Sequence, residues 1–435
     1  MGHRTGDTEA GTRAGCHCGP RGCREGSDGP HLGNGAEGRD EEGSTTREGV
    51  ARTSLRIALF TDSYLPTVDG VVNSVLATRR ELEAHGHRVF TFAPEDPSNG
   101  HHVERDTIFS KAKEFRPYPG YRLAIFPGHE IEALNDLDVD LIHSHGIGFM
   151  GIKGLWCSWA SRIPIVQTYH TLVQEAIPFY SPLGLNLHLL ERGLRLYLRV
   201  FLNHCEGVVV PTRSILGEVQ TLAPRARIRG VIPTGIDPQK FHPGLNGYSV
   251  RSHWGLNGHD VVLHVGRVSP EKNLSTLINA FPYVKLENPD AKLLVVGSGP
   301  YMDRYYDLVR KRGLLGDVIF TGFVPDAELP KYYAACDTFA IASKFETQGL
   351  VVLEALSSGK PVAGANSRAI PEFVEHGRNG YLFNPDSPRE AARAVLMSLE
   401  HRDEMKDAAR ETALAFSVDA CTRRLETVYD GIVAA

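Results

Sequence analysis

The sequence predicts an α/β protein of two doubly wound parallel-sheet domains facing one another across a cleft. Three observations lead there. Short β-branched runs alternate with amphipathic stretches from Leu55 onward, the series restarts at Val261, and a connector with two prolines and a glycine, Ile232-Pro233-Thr234-Gly235-Ile236-Asp237-Pro238, lies between the two series. Strand–helix alternation is the pattern of a parallel sheet covered on both faces. A chain of 435 residues corresponds to two or three domains at about 150 residues each, and two fits a repeated architecture.

Residues 1–52 stand apart. Thirteen of the first 50 are Gly, and the larger apolar residues contribute only Leu32 and Val50. Such a segment cannot bury enough apolar area to offset its ordering entropy and is expected to be a disordered tail. Cys16, His17, Cys18 and Cys23 are soft metal ligands by type, but two of the thiols are only two positions apart and no second cluster faces them, so no metal is assigned. A start codon placed upstream of a true beginning near Leu55 accounts for the tail equally well.

The first domain is expected to span 53–235. Its predicted strands are Arg56–Phe60, Arg88–Phe92, Leu141–Ser144, Ile165–Thr168 and Gly207–Val210, each followed by turn residues or a periodic helix. The second, 236–415, is predicted to carry strands at Val261–Val265, Lys292–Val296, Val318–Thr321, Thr338–Ala342 and Pro361–Ala363, with helices such as Leu274–Lys285 and Met302–Arg312 between them. Residues 416–435 are expected to form a terminal helix packing back on the first domain. The boundary falls in the connector because its prolines and glycine oppose a helix.

Net charge is −5 and the pI near 6.4, so no surface-wide basic field marks a nucleic-acid binder. No apolar run reaches the roughly 18 to 20 residues that cross a bilayer, and the N-terminus lacks a secretory apolar stretch. Seven scattered cysteines do not form a disulfide framework. A cytoplasmic protein, peripheral on a membrane at most, is expected.

Ligands of open parallel sheets bind at the carboxyl ends of the strands, which places the chemistry in the cleft. In Lys344-Phe345-Glu346-Thr347-Gln348-Gly349-Leu350-Val351-Val352-Leu353-Glu354, two glutamates eight apart bracket a glycine turn that opens a helix. The turn presents unpaired N–H groups to an anion or sugar hydroxyls, and Glu354, about two turns into the helix, is placed to accept both hydroxyls of a ribose. The competing reading is one capping and one solvated glutamate. Gly266, Arg267 and Lys272 follow the first strand of the second domain, where guanidinium fork and ammonium can hold a diphosphate. In the first domain, Gly70 opens an apolar helix and is placed to let backbone amides approach the same phosphates, or is an ordinary turn glycine. His143, His145 and His170 close strand ends there; each donates to a sugar hydroxyl or is merely structural.

Together, Gly266-Arg267 with Lys272, the pair Glu346 and Glu354, and Tyr169-His170-Thr171 resemble the retaining glycosyltransferases of family four, with the two-domain GT-B fold. The resemblance runs from about Leu55 to at least Phe383 and is expected to reach the C-terminus, and it implies that residues 53–235 bind the acceptor and residues 236–415 the nucleotide sugar. Ser63-Tyr64-Leu65-Pro66-Thr67-Val68-Asp69-Gly70-Val71-Val72 with Glu346-Thr347-Gln348-Gly349-Leu350-Val351 looks most like enzymes that glucosylate diacylglycerol, and next like mannosyltransferases acting on phosphatidylinositol. The resemblance implies that Arg267 and Lys272 clamp the donor diphosphate, Glu354 holds the ribose and Val324 borders the base. Glu346 and the amides of Thr347, Gln348, Gly349 and Leu350 then hold the donor sugar, and His170 contacts it near its 6-hydroxyl. It also implies attack from the leaving-group side, with a donor phosphate oxygen taking the acceptor proton and no carboxylate nucleophile.

Asp136-Leu137-Asp138-Val139-Asp140 contains Asp-x-Asp twice, a pattern that chelates divalent ions in other sugar transferases. It lies far along the chain from the clamp, and Arg267 and Lys272 already supply positive charge, so neither metal nor resident cofactor is expected. From Gly184 to Cys205, His188, Arg192, Arg195 and Arg199 fall on one stripe of an apolar helix, suited to an anionic membrane with Pro178-Phe179-Tyr180 entering the interface; Tyr64 is placed with the arginines as an acceptor or membrane contact. The alternative is an amphipathic helix packed on its own sheet. The expected function is hexose transfer, glucose to diacylglycerol, from a UDP- or GDP-sugar. A GDP-mannose-dependent mannosyltransferase is the nearest alternative, and a nucleotide-sugar epimerase or noncatalytic sugar-nucleotide binder the alternative of another class.

Overall fold

The computed structural model describes residues 54–67, 69–96, 105–114, 122–126, 128–170 and 187–435. The 1–52 segment with Cys16, His17, Cys18 and Cys23, as well as Thr171 and Pro178-Phe179-Tyr180, lies outside them. The first domain runs β1 (Arg56–Phe60), α1 (Gly70–Ala84), β2 (Arg88–Pro94), β3 (Thr107–Ser110), β4 (Ala112–Glu114), β5 (Arg122–Ala124), α2 (Glu130–Asp136), β6 (Leu141–Ser144), α3 (Phe149–Ser161), β7 (Ile165–Thr168), α4 (Leu187–Asn203), β8 (Gly207–Val210), α5 (Arg213–Leu222) and β9 (Ile228–Val231). Its main sheet has the order β3-β2-β1-β6-β7-β8-β9, every pair parallel, beside the small antiparallel pair β4–β5. All four residues of β6, β7 and β8 are buried, as strands covered on both faces must be.

The second domain continues with α6 (Tyr248–His253), β10 (Val261–Val265), α7 (Leu274–Glu287), β11 (Lys292–Val296), α8 (Met302–Lys311), β12 (Val318–Gly322), α9 (Leu329–Ala335), β13 (Thr338–Ile341), α10 (Leu350–Ser357), β14 (Val362–Ala365), β15 (Gly380–Phe383), α11 (Pro388–Glu400) and α12 (Arg402–Ala415). Its sheet, β12-β11-β10-β13-β14-β15, is again wholly parallel. The fold is thus the pair of doubly wound sheets that the alternation and the family resemblance imply.

Side-chain alternation splits the first domain's core in two: Ala58 and Phe60 pack on one face of β1, Ile57 and Leu59 on the other. The second face is completed by the chain's last helix, α13 (Val418–Val433), whose Cys421, Leu425, Tyr429 and Ile432 are buried against it. The connector is tied to the start of that helix, Ile236 N–H donating to Phe416 O at 2.9 Å and Val418 N–H to Ile236 O at 2.8 Å. Cys157, Cys205, Cys336 and Cys421 are buried free thiols. Among the described residues no helix is long and apolar enough to cross a membrane.

Candidate active site

In each sheet the strand order reverses once, between β1 and β6 and between β10 and β13, and the loops leaving those strands open a crevice at their carboxyl ends. In the second domain the loop after β10 carries Gly266 and Arg267 into a short turn, Pro270–Lys272, and the loop after β13 carries Glu346 to Gly349 into α10. The two meet: Lys272 Nζ donates to Glu346 Oε1 at 2.7 Å. Arg267 is exposed, and its guanidinium has no partner among the described residues. Gly349 has φ 77°, a left-handed conformation that L side chains disfavour, and from it α10 starts with unpaired N–H groups.

A second glycine loop belongs here. A Cβ at Gly297 would stand 2.0 Å from Gly266 O, so the segment after β11 packs backbone to backbone against the loop bearing Arg267. Sequence reasoning passed over it. Its signal is Gly297-Ser298-Gly299-Pro300 directly behind a predicted strand.

Glu354 lies one turn into α10, not two, because the helix begins only at Leu350. Burial pushes its carboxyl up to about 7, against the opposing Tyr333 Oη–H bond to Oε2 at 2.6 Å. Val324, after β12, is partly buried on the second domain's core. Beside the clamp, burial lowers His264 to about 4, with Nδ1 3.0 Å from Ala340 O.

Gln348 does something the motif did not suggest. Its amide clasps the connector, Oε1 accepting from Thr234 N–H at 2.8 Å and Nε2 donating to Thr234 O at 2.7 Å. Thr347 O accepts from Thr212 Oγ1 at 2.9 Å. The side chain of Gln348 and the carbonyl of Thr347 therefore hold the two domains together, and any ligand is left the backbone amides of the turn.

In the first domain His145 and His170 are brought together, Nδ1 of His145 lying 3.0 Å from Nε2 of His170 with the rings stacked. His143 instead joins Thr168 Oγ1 through Nε2 at 2.6 Å and Tyr429 Oη through Nδ1 at 2.6 Å. Burial lowers His143 to about 3 and His170 to about 4. Asp62, unnoticed in the sequence, ends the loop of β1 by capping α3, its carboxylate accepting from Gly148 N–H at 2.6 Å and Met150 N–H at 2.8 Å. Burial raises its pKa against those bonds.

Two expectations are corrected. Gly70 does not offer a vacant helix N-terminus, because Asp69 Oδ1 already accepts from Val71 N–H and Val72 N–H, each at 2.8 Å. Tyr64 is not a surface contact: its ring is buried in the core with Leu59 and Val75, edge-on to Phe109. Arg192, Arg195 and Arg199 are all exposed on α4; Arg195 pairs with Glu191 at 3.1 Å and Arg199 donates to Leu222 O at 3.0 Å. Asp140 accepts from Arg56 N–H at the amino ends of β1 and β6, the opposite end of those strands from the crevice.

Solved structures share this architecture. Sucrose-phosphate synthase from Thermosynechococcus elongatus superposes with a TM-score of 0.70 at 22% identity, covering 87% of this chain and 99% of that one. Anabaena Alr3699/HepE in complex with UDP and glucose gives 0.66 at 21%, covering 86% and 98%. The twin doubly wound sheets with their switch-point crevices are the GT-B fold, and the class within that fold is set by family, a glycosyltransferase. Residues 68–240 match Glycosyltransferase Family 4 and residues 251–414 match Glycosyl transferases group 1. The chain is 31% identical over 390 residues to alpha-monoglucosyldiacylglycerol synthase of Streptococcus pneumoniae, covering 87% of each. It is 29% identical to the protein of that name from Acholeplasma laidlawii (76% of this chain, 85% of that one). It is 27% identical to a GDP-mannose-dependent alpha-mannosyltransferase of Mycolicibacterium smegmatis (83% and 93%). The chain belongs to the family 4 glycosyltransferases and is a hexosyltransferase.

Proposed function

We propose that this enzyme moves glucose from a nucleotide diphosphate donor to diacylglycerol with retention of anomeric configuration. The observation that carries the donor half is the Lys272–Glu346 pair at the second crevice, on the loop that also bears the exposed Arg267. A diphosphate entering there meets both cations, freeing Glu346 for sugar hydroxyls, while Glu354 takes the ribose, Val324 borders the base and the amides of the Gly349 turn face the hexose. His170 reaches the sugar from the first domain. The acceptor hydroxyl oxygen bonds the anomeric carbon as that carbon's bond to the donor phosphate breaks, and the proton passes to a phosphate oxygen of the departing nucleotide. Neither a resident cofactor nor a metal is part of this scheme.

The acceptor half is supported by two relatives named for a glucosyldiacylglycerol product and by one face of the first domain. Phe149, Ile152, Trp156 and Trp159 are exposed along α3, with Leu189, Leu196 and Val200 exposed along α4 next to Arg192. Apolar and aromatic side chains among arginines suit the interface of an anionic cytoplasmic membrane leaflet. Mannose transfer from GDP-mannose is the second reading, favoured by the likeness to the mannosyltransferase. Incubating the protein with UDP-glucose or GDP-mannose and diacylglycerol vesicles, with products identified by mass spectrometry, decides between them. A glucosylated diacylglycerol is expected, and no glycolipid from either donor overturns the proposal.

A further inference from the structure

His145 follows β6, is only 5% exposed, and has one side-chain hydrogen bond, the 3.0 Å contact from Nδ1 to Nε2 of His170. Burial lowers His170 to about 4 and His145 well below its ordinary value, so both rings are neutral at physiological pH. Two neutral imidazoles meeting nitrogen to nitrogen hold one proton between them, and whichever ring donates it fixes where the other keeps its own. The second nitrogen of His145, Nε2, is buried without a partner among the described residues. A proton there would leave an unpaired buried N–H. A proton on Nδ1 is used in the bond and leaves Nε2 only a lone pair, and a buried acceptor without a partner is tolerated more readily than an orphaned buried N–H. His145 is then the donor and His170 Nε2 the acceptor. His170 keeps its proton on Nδ1, which has no partner among the described residues.

We propose that His145 is a positioning residue that locks His170 as its Nδ1–H tautomer, so that the ring presents a hydrogen-bond donor to a hydroxyl of the donor hexose. The inference rests on the assignment of His170 to that sugar. An orienting partner of this kind acts on turnover through ring direction and tautomer rather than through ligand affinity.

Two substitutions in the full chain test it. His145→Phe keeps an aromatic ring without its nitrogens, and His145→Asn keeps an amide near the position of Nδ1. His145→Phe is expected to lower kcat on the order of tenfold or more while KM for the donor stays within about twofold, and His145→Asn to recover most of the loss. Nitrogen-15 NMR should show His170 as Nδ1–H in the wild type and as a mixture in His145→Phe. Equal kcat in both variants, or His170 found as Nε2–H in the wild type, overturns the proposal. If the Phe variant does not fold, the wild-type spectrum and the kcat of His145→Asn still decide. His170→Ala with undiminished transfer would remove the underlying sugar assignment instead, whatever tautomer the spectra show.

Discussion

At Lys272 the ammonium is neutralised by the carboxylate of Glu346 at 2.7 Å. On the clamp proposed above, a diphosphate would take the place of that carboxylate, a swap of partners rather than the burial of a bare charge. Lys272→Ala should cost about 2 to 4 kcal/mol in transfer efficiency, with weaker UDP binding by calorimetry, because a preorganised counter-charge is lost; near wild-type kinetics would refute the clamp. His170→Ala should slow transfer more than it weakens binding of free UDP, and matching effects on both would mean the ring serves the nucleotide. Glu354 makes a pH prediction. Its carboxyl titrates near 7 when folded, against an ordinary 4.5, so between those values the native state holds a proton that the unfolded chain has released. Stability should therefore fall as pH rises through that window, by about 3 kcal/mol in order of magnitude, and Glu354→Gln should flatten the slope in urea titrations at pH 5 and pH 8.

Helices α3 and α4 show what a linear reading reaches. The arginine stripe of α4 was visible because charges at three- and four-residue spacing stand out against Leu and Val. The aromatic row of α3 was not, since Met150 and Cys157 on its inner side are as apolar as Trp156 and Trp159 on its outer side, and only packing tells which side is left uncovered. Among strands, the three missed in the large sheets, β3, β9 and β15, are sheet edges of four residues. β9 is Ile228-Arg229-Gly230-Val231, whose Arg and Gly blur the β pattern. Changing Arg192, Arg195 and Arg199 together to Glu should abolish sedimentation with anionic liposomes, and Trp159→Glu should weaken it without altering the far-UV circular dichroism. Undiminished sedimentation of both variants would remove this face from the membrane.

Across the whole molecule, the parts of the site that lie within one loop were legible, and the parts assembled by folding were not. Arg267 with Lys272, and Glu346 with Glu354, are neighbours in sequence. The His145–His170 bond spans 25 positions, the Asp62 bond to Gly148 spans 86 and the clasp of Gln348 on Thr234 spans 114. No periodicity reports such pairings. A still longer reach is that of Tyr429, whose hydroxyl meets His143, 286 positions away, at 2.6 Å inside the first domain. Tyr429→Ala should destabilise that domain by about 3 to 5 kcal/mol, as large-to-small core changes do, with the loss read from urea unfolding; a shift under 1 kcal/mol would mean α13 only rests on the surface.

That the final helix finishes the core of the first sheet has a temporal consequence. During synthesis, the first domain emerges with one flank of its β-layer covered only in part, by Tyr64, Val75 and Leu82, and must wait, through production of the entire second domain, for Cys421, Leu425, Tyr429 and Ile432 to seal it. A nascent chain stalled before Val418 would expose that greasy flank to chaperones even though every strand of both sheets had already been made.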